Sequence, residues 1–230
     1  MLLIAGTDTD AGKTLVTSAL AAYWVNHFDA NTLSILKPLQ TGMGDREHYR
    51  RLFQLNQTIE ELNPIHLEAP LAPPLAADLA GRRIDLAPAW QTFEVLRQRS
   101  QWLLVEALGG MGSPITHELM VADLARDWRL PTVLVVPVKL GAIGQAVANV
   151  ALARQFGVNL RGIILTCPQP CSAVQIEQWA DRALIESFTR LPIFGLIPYL
   201  DDPTNIAALS QAAAQLDLDA LLPLPARVPA

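Results

Sequence analysis

Cysteine is scarce in this chain: Cys167 and Cys171 are the two present in 230 residues. Their C-x3-C spacing, flanked by prolines, has no nearby histidine to complete four zinc ligands. They read as reduced loop thiols of a cytoplasmic protein. Positive charge is also short. Lys and Arg number 17 against 22 Asp and Glu, a net charge of −5, and no Lys/Arg run occurs, which disfavours a nucleic-acid partner. No stretch of about 18 uninterrupted apolar residues suggests a membrane span. The N-terminus lacks the basic region and apolar core of a cleaved leader. His27, His48, His66 and His117 show no ligand spacing and read as surface or packing residues. What is plentiful is apolar character, 51% hydrophobic against 17% charged, enough for the core of one α/β domain spanning 1–230.

The apolar run Leu-Leu-Ile-Ala at 2–5 reads as a buried strand and breaks at Gly6 into a small polar loop ending in Gly12-Lys13-Thr14. Beyond it the pattern turns helical. Strand, Gly-bearing loop, Gly-Lys-Thr and helix follow the order of a phosphate-binding P-loop. Loop N–H groups and the helix N-terminus converge on phosphate oxygens. Gly12 permits close backbone approach, Lys13 supplies a mobile cation, and the Thr14 hydroxyl can ligate Mg²⁺. The first glycine lies one residue earlier than usual, giving G-x5-G-K-T.

Further along, residues 15–28 carry apolar side chains at helical spacing. Residues 33–36 read as a strand, 40–45 as a loop, 46–55 as a helix, and the proline-rich 63–74 as irregular. A helix is expected over 90–99, with an alternative start near 86, then a buried strand over 102–106 ending in Glu106. Residues 116–128 read as a helix and 132–138 as the clearest strand. The loop 139–144 leads into a helix over 145–156. Strands at 160–166 and 193–197 flank a helix at 174–188, and a short helix near 206–215 precedes a proline-bearing tail. Short apolar strands alternating with helices predict a doubly wound, mostly parallel sheet with helices on both faces.

Ligands of such sheets sit beyond the carboxyl ends of the strands, so the polar residues there carry the argument. Glu106, facing a P-loop, is placed to hold Mg²⁺ directly or through water, or else to make a strand-end salt bridge. Asp8 and Asp10 lie inside the phosphate loop, where carboxylates repel phosphate unless they serve a metal or a second substrate. Asp45 starts a helix and has the bland reading of an N-terminal cap. Lys37, fixed by Pro38 at a strand end, either projects into the crevice to offset developing charge or is a surface lysine at a turn.

The segment from Gly6 to Thr14 resembles the phosphate loop of dethiobiotin synthetases, G-T-D-T-x-x-G-K-T, with the same glycine spacing. Lys37-Pro38-Leu39-Gln40-Thr41-Gly42 is similar to that family's K-P-x-x-S/T-G. Val105-Glu106-Ala107-Leu108-Gly109-Gly110 resembles its V-E-G-A-G-G, with Ala107-Leu108 in place of Gly-Ala. Val136 to Gly141 resembles V-x-x-K-L-G, and Gly195 to Pro198 resembles G-x-I-P. Thr166-Cys167 stand where the family commonly has Asn-Asp against adenine. The resemblance implies a cytoplasmic homodimer that uses ATP and Mg²⁺ to carboxylate 7,8-diaminononanoate with CO2 or bicarbonate and close a cyclic urea. By the same resemblance Thr9, Asp10, Ala11, Gly12, Lys13, Thr14, Ala107, Leu108, Gly109, Thr166, Cys167 and Pro198 bind nucleotide. Thr14, Asp45 and Glu106 hold the metal, and Lys37 is catalytic. Thr41 binds the diamine, while Gly141 and Gly144 meet the substrate carboxylate across the dimer. Two other P-loop readings are a cobyrinate-type amide synthase, which normally carries a further glutaminase domain, and a partitioning or positioning ATPase, which usually carries an extra lysine near the start of the loop.

Overall fold

The five residues of β1 (Leu2–Gly6) are all buried, and they set the middle of the sheet. The computed structural model describes residues 1–222; the expected proline-bearing end of the chain, from 223, lies outside the described residues. After β1 come α1 (Lys13–His27), a 3₁₀ turn at Ala30–Thr32, β2 (Leu33–Leu36), β3 (Leu39–Thr41), α2 (Asp45–Leu52), α3 (Ile59–Leu62) and β4 (Ile65–Leu67). Then follow α4 (Pro73–Leu79), α5 (Ala87–Arg99), β5 (Trp102–Gly110), α6 (Val121–Asp127), β6 (Thr132–Pro137), α7 (Ala142–Gln155) and β7 (Leu160–Thr166). The last are α8 (Ala173–Trp179), α9 (Arg182–Thr189), β8 (Ile193–Ile197), α10 (Ile206–Ala213) and α11 (Leu218–Leu221).

Six strands form one sheet in the order β2-β5-β1-β6-β7-β8, and every pairing in it is parallel. Alternation along the strands divides their side chains between two apolar layers. Leu3, Ala5, Val105, Leu134 and Val136 join α5, α6 and α7 residues on one face. Leu2, Ile4, Leu104, Val133 and Val135 join α1 and α10 residues on the other. Both faces are covered, which is why the strands read as continuous apolar runs rather than alternating ones. This is the doubly wound, parallel architecture of P-loop NTPases. β1 lies between β5 and β6, so the carboxyl end of β1 faces the ends of both neighbours.

Several local expectations change. The segment expected as loop from 40, and the irregular stretch 63–74, contain β3 and β4, which pair with each other in a small parallel sheet. Three-residue strands give too short a pattern to read. α4 follows at once, with Pro73 and Pro74 in its first turn, where the missing N–H groups break no helical bond. The helix expected over 116–128 begins only at Val121. Thr116 Oγ1 instead accepts from Glu118 N and Leu119 N in a turn, closed by the Pro114–Met120 bridge. The helix expected over 174–188 is two, because the Asp181 side chain caps a new start by accepting from Leu184 N. β5 runs on to Gly110, so Glu106 stands inside a strand rather than at its end. The helix after β6 starts at Ala142, so Gly144 lies in its first turn rather than in the loop.

Candidate active site

The loop after β1 is held by neighbours on two sides. Gly12 adopts φ +87°, the left-handed conformation that favours glycine, and a Cβ there would lie 3.1 Å from Thr166 Oγ1. Thr166, fully buried at the end of β7, donates its hydroxyl to the Ala11 carbonyl at 2.7 Å. On the other side, a Cβ on Gly110 would stand 2.7 Å from the Thr7 carbonyl, so only glycine lets β5 pass this close. Asn149 of α7 completes the support, accepting from Met111 N at 3.1 Å and donating to the Gln145 carbonyl. The Lys13 ammonium folds back over the loop onto the carbonyls of Asp8 (2.8 Å) and Thr9 (3.1 Å). Burial pulls its pKa down to about 8, against the attraction of Glu106. Asp8 accepts from Thr9 N and pairs with Lys139 at 3.2 Å, which hold its carboxyl below the usual range.

A second group of side chains meets this loop at Thr14. The Thr14 hydroxyl lies 3.0 Å from Asp45 Oδ1 and 3.1 Å from Glu106 Oε1. Lys37 lies between the same two carboxylates, 2.5 Å from Asp45 Oδ2 and 2.7 Å from Glu106 Oε1, and also donates to the Ala107 carbonyl. Burial disfavours the Lys37 charge, yet Glu106 and Asp45 outweigh it and raise its pKa. For Asp45, burial works upward, and Lys37 outweighs it to hold the carboxyl down. Glu106 is fully buried, and its Oε2 accepts from the Tyr49 hydroxyl. Burial, with Glu106 and Asp45 nearby, pushes the Tyr49 phenol well above its ordinary value.

The backbone that carries Lys37 is itself held. Lys37 N donates to the Leu62 carbonyl at 2.7 Å, and Asn63 Nδ2 donates to the carbonyls of Lys37 (2.7 Å) and Ile65 (3.1 Å). His66 Nε2 donates to the Gly42 carbonyl and Gln40 ties Gly42 to Glu47, fixing the turn that leads to Asp45.

The result is a cleft of about 250 Å³ that brings together Thr9, Asp10, Lys13, Thr14, Lys37, Thr41, Asp45, Glu106, Leu108 and Gly109 from the sequence-predicted set. Ala11 and Ala107 are buried just behind it. Thr166 faces the loop backbone, and Cys167, buried after it, bonds through its N–H to Ile197 O, beside Pro198. Cys167, Pro198, Gly141 and Gly144 do not line the cleft. Gly141 and Gly144 lie at the start of α7, behind the Lys139–Asp8 pair. A larger groove of about 620 Å³ between α4 and the 116–119 turn holds the Asp78–His117 pair and no group from the strand ends.

Among the described residues no three His, Cys, Asp or Glu side chains cluster as a metal site. Mg²⁺ takes one or two carboxylates and completes its shell with water and phosphate oxygens. The convergent hard donors here, the Thr14 hydroxyl with Asp45 and Glu106, are of that kind. Sequence reading missed Tyr49, Gln40, Asn63 and Asn149. The first carries a signal that was available, the four-residue spacing from Asp45 that places both on one helix face.

A family model described as an AAA domain matches residues 1–207. The ATP-dependent dethiobiotin synthetase BioD of Gloeothece citriformis is 53% identical over 97% of this chain and 99% of its own length. That of Gloeobacter violaceus is 45% identical over 95% and 94%, and that of Methanococcus vannielii 30% over 86% and 92%. Among solved structures, a ParA family ATPase from Chlorobium tepidum TLS aligns with TM-score 0.55 at 13% identity, covering 96% of this chain and 95% of its own. The MinD cell division protein of Aquifex aeolicus aligns with TM-score 0.53 at 14% identity, covering 95% and 94%. At such identity these likenesses show the fold alone. Near-full-length identity of 45–53%, on a P-loop facing a Lys37–Asp45–Glu106 cluster, places the chain in the ATP-dependent dethiobiotin synthetase family.

Proposed function

We propose that the chain acts as one domain that carboxylates 7,8-diaminononanoate and closes its ureido ring at the expense of ATP. One amine adds CO2 as a carbamate, a carbamate oxygen takes the γ-phosphoryl group, and the second amine attacks the carbamoyl carbon with loss of phosphate. The products are dethiobiotin, ADP and phosphate. The observation that carries this reading is Lys37, seated against Asp45 and Glu106 at the mouth of a P-loop. Phosphoryl transfer asks the protein for positioning and charge stabilisation. A cation set beside the phosphate loop meets that demand for an anionic carbamate nucleophile.

In this reading the backbone from Thr9 to Gly12, with Lys13, takes the phosphates, and Thr166 keeps the loop in shape through Ala11. Thr14, Asp45 and Glu106 would hold Mg²⁺, which supplies neutralisation of phosphate charge. Lys37 faces the carbamate and Thr41 the diamine, while Ala107, Leu108 and Gly109 wall the phosphate end. Cys167 and Pro198 are assigned to the nucleotide, and Gly141 and Gly144 to the substrate carboxylate of a homodimer partner, on the family resemblance. A cytoplasmic setting is supported by the two free thiols, Cys167 and Cys171. No described helix is long and apolar enough to cross a membrane.

The test is turnover. Protein given diaminononanoate, bicarbonate, Mg²⁺ and ATP should release ADP, phosphate and the cyclic urea in equal amounts. ATP hydrolysis that ignores the diamine and yields no urea would overturn the reading.

A further inference from the structure

Tyr49 is fully buried in the apolar layer shared by Val16, Leu20 and Ile35, a place where phenylalanine would fill the same space. A hydroxyl there is costly to bury unless it finds a partner. Its partner is Glu106 Oε2. α2 supplies both Asp45, its first residue, and Tyr49 one turn later. The four-residue spacing brings the carboxylate and the phenol to the same face, towards β5. Glu106 is thereby gripped at both oxygens. Oε2 takes the Tyr49 hydroxyl, while Oε1 takes Lys37 at 2.7 Å and Thr14 at 3.1 Å.

A strand residue's carboxylate can turn about its terminal bond, because torsions onto sp² carbon are broad. With Oε2 tied to a rigid helix, that freedom is removed. The plane of the carboxyl group then presents Oε1 to Thr14 and Lys37. We propose that Tyr49 is a positioning residue of the metal site, holding Glu106 by Oε2 so that Oε1 stays turned towards Thr14 and Lys37 and would be available to a metal ion. The proposal rests on the reading of Glu106 as a metal-site residue. Partners of ligating carboxylates commonly matter for affinity about 10–100-fold.

The experiment is the Mg²⁺-dependent part of nucleotide binding, read by calorimetry with ADP in the presence of Mg²⁺ or of a chelator. Tyr49→Phe should leave ADP affinity with chelator unchanged and cut the Mg²⁺-dependent gain about tenfold. In turnover, the Mg²⁺ activation constant should rise while KM for ATP at saturating Mg²⁺ stays put. A merely packing role would lower thermal stability and move neither quantity. Glu106→Gln is the control. If it keeps the full Mg²⁺ gain, the metal-site reading and the proposal both fall. If it loses the gain and Tyr49→Phe keeps it, Tyr49 alone is overturned. Crystals of the unmutated protein with Mg²⁺ and ADP give a check that does not depend on the variant folding. The Tyr49 hydroxyl should still sit on Glu106 Oε2, and its separation from that oxygen would overturn the proposal.

Discussion

The stretch from β1 into α1 and the stretch from β2 to α4 both deliver residues to the cleft, by different physical means. The first is local. Strand, loop and helix start lie within the span from Leu2 to Thr14, and their groups converge because a parallel strand leads directly into a helix N-terminus. The second is assembled from afar. Lys37 has its carbonyl held by Asn63, its N–H by Leu62 and its ammonium by Glu106, 69 positions away. The first region therefore forms the proposed phosphate cradle from a short run of sequence, whereas the second forms a charge cluster only when the sheet is complete. Functionally, the cradle should govern nucleotide affinity and the cluster the chemical step.

The hardest blow to that division is Lys37→Ala. Removing the cation leaves the fully buried Glu106 carboxylate with the Tyr49 and Thr14 hydroxyls but no ammonium, and takes the ammonium from Asp45 as well. Breaking a buried pair in this way costs about 3–5 kcal/mol of stability, so thermal unfolding should move down. kcat should fall about 10²–10³-fold, as for loss of one stabilising group at a transferring centre. Affinity for ADP with chelator should hold. Equal losses in both would merge the two regions into one.

Gly110→Ala attacks the cradle instead. Its Cβ would lie 2.7 Å from a backbone carbonyl, so the phosphate loop itself must shift. A displacement near 1 Å is worth roughly 10²-fold, and it should appear as a fall in kcat/KM for ATP, with about 1–3 kcal/mol of lost stability from overpacking. Steady-state kinetics with ATP varied at saturating diamine would show it.

The contrast also explains which parts were legible in the sequence. Gly12-Lys13-Thr14, the apolar strands and the parallel order could be read because strand and helix periods and the loop motif are local signals. β3 and β4 could not, since each is three residues long and pairs only with the other. α4 was hidden by its prolines, which sequence reading takes as a break although a helix start tolerates them. Within the site, Lys37 and Glu106 were visible as polar residues punctuating apolar strands. Their contact with Asp45, the grip of Tyr49 and the bracing of Lys37 by Asn63 are tertiary facts. Thr166 illustrates the same limit. Its position after a strand was readable, but the turn of its hydroxyl towards Ala11 depends on how closely β7 passes the phosphate loop.

A smaller change in the second region is Asn63→Ala. It leaves the Lys37 carbonyl without its side-chain donor and removes a bond to Ile65 O, a loss of about 1–3 kcal/mol for buried groups left unpaired. The Lys37 side chain keeps its carboxylates, but the turn that aims it loosens. kcat should drop roughly five- to tenfold at about 1–1.4 kcal/mol of barrier, and KM for ATP should stay near the unmutated value.

Thr166→Val is the matching small change in the first region, and the pair is the sharpest test of the comparison. Valine has nearly the shape of threonine, so no cavity opens, and the loss is confined to the 2.7 Å bond from the hydroxyl to the Ala11 carbonyl. That carbonyl belongs to a buried residue and finds no replacement donor in valine. The net value of one such bond is about 1 kcal/mol, or roughly fivefold in an equilibrium constant. Because the bond holds the loop rather than the cluster, the fivefold change should appear in KM for ATP and in ADP affinity, with kcat at saturating ATP unchanged. Asn63→Ala should do the reverse. If both variants move the same parameter, the loop and the cluster respond as one body, and the local and the long-range halves of the site are not energetically separable. If they move different ones, the two variants together should show the two losses in full, since sites without shared partners add.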